Sequence, residues 1–136
     1  MGSTRPKVLS TLWIFAVLNY VYADVFTLFF NPSALKETAS VTPTAALVFA
    51  ILMETSIAMV VLSRVLKRGP NRVANVVAGI FHTAFVGWSL LGQRPQPFYL
   101  FFACVEIACT LFIVAYALRW RRDEPLAVGD ATVKTN

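Results

Sequence analysis

Four stretches of this chain stay apolar for about 20 residues at a time, the length a helix needs to cross a ~30 Å hydrocarbon core. Val8 to Phe30 is stopped by Asn31-Pro32. Thr44 to Leu66 opens after Pro43 and closes at Lys67-Arg68-Gly69-Pro70. Val73 to Gly92 ends at Gln93-Arg94-Pro95, and Phe98 to Leu118 runs into Arg119-Trp120-Arg121-Arg122. No period-2 alternation runs through these segments, which argues against a membrane β-barrel. The pattern predicts an all-α fold: an integral membrane four-helix bundle, multi-pass, with helices over about 8–30, 44–66, 73–92 and 98–118. A single transmembrane domain would occupy residues 1–122, leaving a polar C-terminal tail over 123–136.

Charge supports the same reading. Only 14% of the 136 residues are charged and 57% are hydrophobic, against about 25% charged in soluble domains. The net charge of +5 would suit nucleic acid in a soluble protein. Here the basic residues gather at the ends of apolar runs, so the expected partner is the lipid bilayer and not nucleic acid. Arg5 and Lys7 precede the first run, Arg64, Lys67, Arg68 and Arg72 surround the middle connection, and Arg119, Arg121 and Arg122 follow the last. The opposite side carries only Lys36 and Arg94, so both termini are expected to be cytoplasmic. A cleavable signal peptide ending near Tyr22-Ala23 is the competing reading of the first run. Against it, the apolar stretch continues through Val25 to Phe30, and Asn19-Tyr20 suit a signal core poorly.

Polar residues interrupt the oil at similar depths. At ~1.5 Å per residue from the outer helix ends, Asp24 falls roughly 9 Å deep, Glu106 roughly 12 Å, and Glu54 and His82 roughly 15 Å, with Asn19 and Tyr20 close to them. Helical spacing lines Trp13, Tyr20, Asp24 and Thr27 along the first helix, and Ala50, Glu54 and Ala58 along the second. Asn75, Gly79, His82 and Ser89 share a face of the third, and Tyr99, Phe102, Glu106 and Thr110 a face of the fourth. Lipid cannot hydrogen-bond such stripes, so an internal polar pocket is expected. Phe49, Glu54, Lys67 and Phe101, Glu106, Arg119 repeat one spacing, a hint of two related helix pairs.

No Lys or Arg reaches the depth of the three carboxyls. Unpaired carboxylates in low dielectric are costly, so some are expected to hold and share protons at neutral pH. A neutral carboxylic acid beside an ionised one makes a general acid and a general base. Asp24, Glu54 and Glu106 are therefore the candidate catalytic groups. Asn19, Tyr20, His82, Trp13, Phe102 and Tyr99 are candidates for substrate binding or pocket wall. The plainer alternatives are helix-joining hydrogen bonds for Asn19, Tyr20 and His82, solvation for Asp24, and packing for the aromatics. Cys104 and Cys109 are about 140° apart on one helix, so they cannot bridge each other. No metal-ligand spacing occurs, and no cofactor is implied.

In "STLWIFAVLNYVYADVFTLF", "ILMETSIAMVVLSRVLKRGPNRVANVVAG" and "YLFFACVEIACTLFIVAYALRW" the chain resembles a family of small four-span membrane proteins, most of them bacterial and uncharacterised. It also looks like the small membrane-bound epoxide hydrolases of fungal polyketide pathways. The likeness to the four-span family covers the four helices and leaves out the tail after Arg122, and the second likeness carries the function. It implies epoxide opening on an apolar polyene, by water or an internal hydroxyl, with Asn19, Tyr20, Tyr22, Asp24, Glu54 and Glu106 as the matching residues.

The leading expectation is a membrane-embedded acid–base enzyme acting on a hydrophobic small molecule, hydrolysing or cyclising an epoxide, with Glu54 and Glu106 as its foremost pair. A different class uses the same carboxyls: a proton-coupled exporter of lipophilic compounds, working as a homodimer because four short helices enclose little. A third is a lipid-binding or assembly protein whose acids only join helices.

Overall fold

The computed structural model describes residues 4–91 and 94–120, and within them every regular element is helical. The expected tail over 123–136 lies outside these residues, as do Arg121 and Arg122. The helices are α1 (Arg5–Phe30), α2 (Pro32–Thr38), α3 (Pro43–Val65), α4 (Arg68–Ser89) and α5 (Pro97–Leu118).

Prolines punctuate the chain. A prolyl ring disfavours helical backbone in the residue before it, and Asn31, ahead of Pro32, closes α1 in a non-helical conformation with its N–H on Thr27 O. Pro43 and Pro97 open α3 and α5 from first-turn positions, where the missing N–H costs no helical bond. The Thr42 side chain caps α3 by accepting from the Ala45 N–H. The same tolerance corrects the expected start of the third span. Pro70 sits inside the first turn of α4, so that helix begins at Arg68 and not after the proline. The short α2 had no counterpart in the apolar pattern.

Four long helices close into a ring: α1 packs on α3 and α5, and α4 packs on α5 and α3, with the α3–α4 side the thinnest. One end of the bundle gathers the basic residues. Arg5 donates to Tyr116 O and covers its ring, Arg64 donates to Ser10 Oγ, and Arg68 lies over the Trp120 ring. Helices α4 and α5 approach closely at Gly79, where an added Cβ would stand 2.6 Å from Val114 Cγ2 and 3.2 Å from Thr110 O.

The bundle is inverted relative to a soluble one. Its outward surface is apolar: Phe15, Leu18, Ile51, Val61, Val77, Ile80, Phe101 and Leu111 are all exposed. Its interior holds Ser10, Ser56, Ser63, Asn71, Asn75, His82, Glu106 and Thr110, among an apolar core of Leu9, Trp13, Tyr20, Met59 and Ile113. Soluble domains rarely expose so continuous an apolar surface. Helices α1, α3 and α5 are each long and apolar enough to cross a membrane. Helix α4 has comparable length, 22 residues, but Asn71, Asn75 and His82 on its inward face make it less apolar overall.

Candidate functional site

Each long helix turns one stripe inward at the 3-and-4 spacing of a packed face: Leu9, Trp13, Ala16, Tyr20 and Ala23 on α1, and Leu52, Ser56, Met59 and Ser63 on α3. Asn71, Asn75, Gly79, His82 and Val86 do so on α4, and Ala103, Glu106, Thr110, Ile113 and Ala117 on α5. Where these stripes meet, side chains from three helices join in one chain of hydrogen bonds. Tyr20 Oη lies 3.0 Å from His82 Nδ1, and Ser56 Oγ lies 3.1 Å from His82 Nε2. One ring nitrogen donates and the other accepts, so the two hydroxyls hold the imidazole in a single orientation.

The fourth helix adds Glu106. It is 4% exposed, and its Oε1 has no hydrogen-bond partner among the described residues. Tyr20 and Asp24, across the α1–α5 contact, lie within electrostatic reach of it. Buried polar atoms are seldom left unpaired, because each costs its full desolvation. A carboxyl oxygen left so within a hydrogen-bonded layer is equipped to exchange a proton or a hydrogen bond with something that enters.

A second polar layer lies toward the basic end. Asn75 Oδ1 accepts from Trp13 Nε1 at 2.8 Å and from Ser63 Oγ at 3.1 Å, while Asn75 Nδ2 donates to Asn71 O and Oδ1 at 2.8 and 2.7 Å. Trp13 links the layers, since its ring also meets His82 edge-on at a centroid distance of 5.5 Å. Every buried group in this second layer has partners, so its role is cohesion.

Toward the other end opens a cavity of about 680 Å³, within the range of small-molecule sites. Phe49, Phe85, Trp88, Phe98 and Tyr99 give it an aromatic wall, and Glu37 and Arg94 line it as well. Its lining residues Thr27, Phe49, Ser89 and Tyr99 each lie seven residues from a member of the polar layer: Tyr20, Ser56, His82 and Glu106 respectively. Seven residues are about two turns on nearly the same face, roughly 10 Å. The layer is thus the next stop inward from the cavity on all four helices. Ser89 and Tyr99, hydroxyls 3.2 Å apart, join α4 to α5 at the cavity wall.

The nine residues singled out from sequence divide. Tyr20, His82, Glu106 and Trp13 are buried in the bundle interior. Tyr99 is half-buried in the cavity wall. Phe102 is half-buried against Phe26 and Phe101, and the half-buried Asn19 donates to Phe15 O of its own helix. Asp24 and Glu54 are exposed. The expected inward stripe of Ala50, Glu54 and Ala58 is corrected: α3 turns Ser56 and Ser63 inward, which leaves Glu54 on the outer surface. Sequence reasoning passed over Ser56, Ser63 and Asn71. The seven-residue spacing of the two serines and the four-residue spacing of Asn71 and Asn75 were the available signals. Among the described residues, no group of three or more His, Cys, Asp or Glu could hold a metal ion.

A family model described as a family of unknown function, DUF6326, matches residues 2–127 of the chain. No curated protein and no solved structure matches it.

Proposed function

The chain belongs to the DUF6326 family, and from the geometry of its bundle we propose that it is a four-span membrane protein that binds a hydrophobic small molecule and performs acid–base chemistry on it. The observation that carries this reading is Glu106, a buried carboxyl with an unpaired oxygen, two turns inward from an aromatic cavity.

The fourth span is α4. Beyond Arg72 at its basic end, its exposed residues Val73, Val77, Ile80, Phe81 and Trp88 are apolar and its polar ones are buried or half-buried, so lipid would meet few polar groups along it. The basic end formed by Arg5, Lys7, Arg64, Lys67, Arg68, Arg72 and Arg119 is then cytoplasmic, and both termini with it. The cavity lies toward the opposite leaflet, where an apolar ligand arrives from the bilayer.

Epoxide opening fits these groups. It needs an acid for the departing ring oxygen and a base for the attacking water or hydroxyl. Glu106 and Asp24, within electrostatic reach of each other, would be the two carboxyls acting on one ligand, with the Tyr20–His82–Ser56 chain as the floor on which it rests. Glu54, on the outside of α3, has no part in this pair. The exporter reading draws on that outward carboxyl, which suits a dimer; purified protein in liposomes would then move a lipophilic cation under a pH gradient.

Two measurements test the enzyme reading. Trp88 lines the cavity, so its fluorescence should respond to apolar ligands. Membranes fed a panel of polyene epoxides should yield diols or cyclic ethers, and Glu106→Gln should lower conversion by ~10²-fold or more while the protein remains folded. Unchanged substrate across the panel, or full turnover by Glu106→Gln, would refute it.

A further inference from the structure

Glu54 is the twelfth of the 23 residues of α3, at the midpoint of a helix apolar enough to span a membrane, and it is exposed on the outer face. Eleven residues on each side put it roughly 16 Å from either end, too far for a glutamate side chain to reach the headgroups. The nearest basic residue on the helix, Arg64, is ten residues away and donates its Nε–H to Ser10 instead. Its exposed neighbours Ile51, Ile57 and Val61 are apolar and offer no hydrogen bond. Ionisable groups at this depth face protein or water and pair with one another or with backbone, because hydrocarbon satisfies neither carboxyl oxygen. Among the described residues nothing covers Glu54, which directs its search for a partner outward.

We infer that Glu54 marks a homodimer interface, in which α3 of one copy packs on α3 of a second about a two-fold axis. An isologous contact sets a residue beside the axis against its own counterpart. Two Glu54 carboxyls meeting there satisfy each other by sharing a proton, with no additional basic residue required. The surrounding face admits the approach. Ala46, Ala50 and Ala58 recur with Glu54 at four-residue spacing, a small-residue track that lets helix backbones come close. Leu47, Ile57 and Val61 flank it and are exposed to pack against the second copy. The inference rests on α3 spanning the membrane, and it is independent of what the cavity binds.

The test uses the full chain with Cys104→Ser and Cys109→Ala, carrying Ala50→Cys and reconstituted alone into lipid nanodiscs and liposomes. Oxidation should give covalent dimers, whereas Val77→Cys on the exposed face of α4 should not. Glu54→Gln, which keeps a hydrogen-bonding amide, should retain most dimer, and Glu54→Leu should lower the dimerisation constant by about tenfold, as expected for one interhelical polar contact. Unaltered melting of both Glu54 variants would show that the bundle itself is intact. Three results overturn the proposal: a wild-type monomer at every protein-to-lipid ratio, equal cross-linking through Val77→Cys, or a Glu54→Leu variant as dimeric as wild type. Extraction of the protein from membranes by alkaline carbonate would instead remove the span assignment, a separate failure.

Discussion

Asn75→Leu should be among the most damaging single changes in the bundle, although leucine is similar in size and better suited to an apolar helix. Asn75 is fully buried and makes four hydrogen bonds, of which those from Trp13 and Ser63 cross to α1 and α3. Interhelical hydrogen bonds in membranes contribute about 0.6 kcal/mol on average and ~1.7 at most. Two of them therefore account for about 1–3 kcal/mol. The substitution also strands the buried Trp13 indole N–H, whose acceptor among the described residues is Asn75, and such stranding costs ~1–3 kcal/mol. A loss of about 3 kcal/mol is expected. Reversible unfolding in mixed micelles, followed by circular dichroism, would measure it. Trp13→Phe removes the same contact from the other side, so the double variant should fall short of the sum of the singles by ~0.6–1.7 kcal/mol. An Asn75→Leu protein within ~0.5 kcal/mol of wild type, or strictly additive singles, would show that the polar layer does not hold the helices together.

Gly79→Ala should destabilise by about 0–2 kcal/mol, overpacking against Val114 and the Thr110 carbonyl outweighing the ~1 kcal/mol gain in helix propensity. Gly87→Ala, where an added Cβ meets nothing within 4 Å, should be neutral or stabilising, and comparing the two melting temperatures separates packing from propensity. Tyr20→Phe leaves His82 Nδ1 only the longer 3.4 Å contact with Ser56 Oγ, so it should cost about 1 kcal/mol of stability and also alter turnover if the layer is the cavity's chemical floor. With both native cysteines removed, Ser33→Cys should be labelled by an impermeant thiol reagent from outside the cell and Gly69→Cys only after lysis, the reverse pattern overturning the orientation.

Length, apolarity and the turn residues determined much of this protein. Runs of about 20 apolar residues have few folded solutions besides membrane helices, and Pro32, Pro43 and Pro97 mark where helices begin. Tyr20, His82 and Glu106 were legible as candidates because a polar group inside an apolar run is conspicuous by its cost. Which way each helix faces was not legible. Glu54 and Ser56 stand two residues, about 200°, apart on α3. The spacing rules fix that angle but not which of the pair turns inward. An amphipathic helix declares its buried side by contrast, whereas a helix apolar all round has little contrast to read. Phase in α3 is decided by what the other helices present. Ser56 meets the His82 ring and Ser63 meets Asn75, so Glu54 is carried to the outer surface. The cavity was equally beyond sequence, because its lining residues come from all five helices, Asn31 between α1 and α2, and the segment 94–96. Only the tertiary structure could bring a carboxyl that sequence shows to be isolated beneath an aromatic chamber that sequence does not show at all, since both depend on helices meeting at particular rotations.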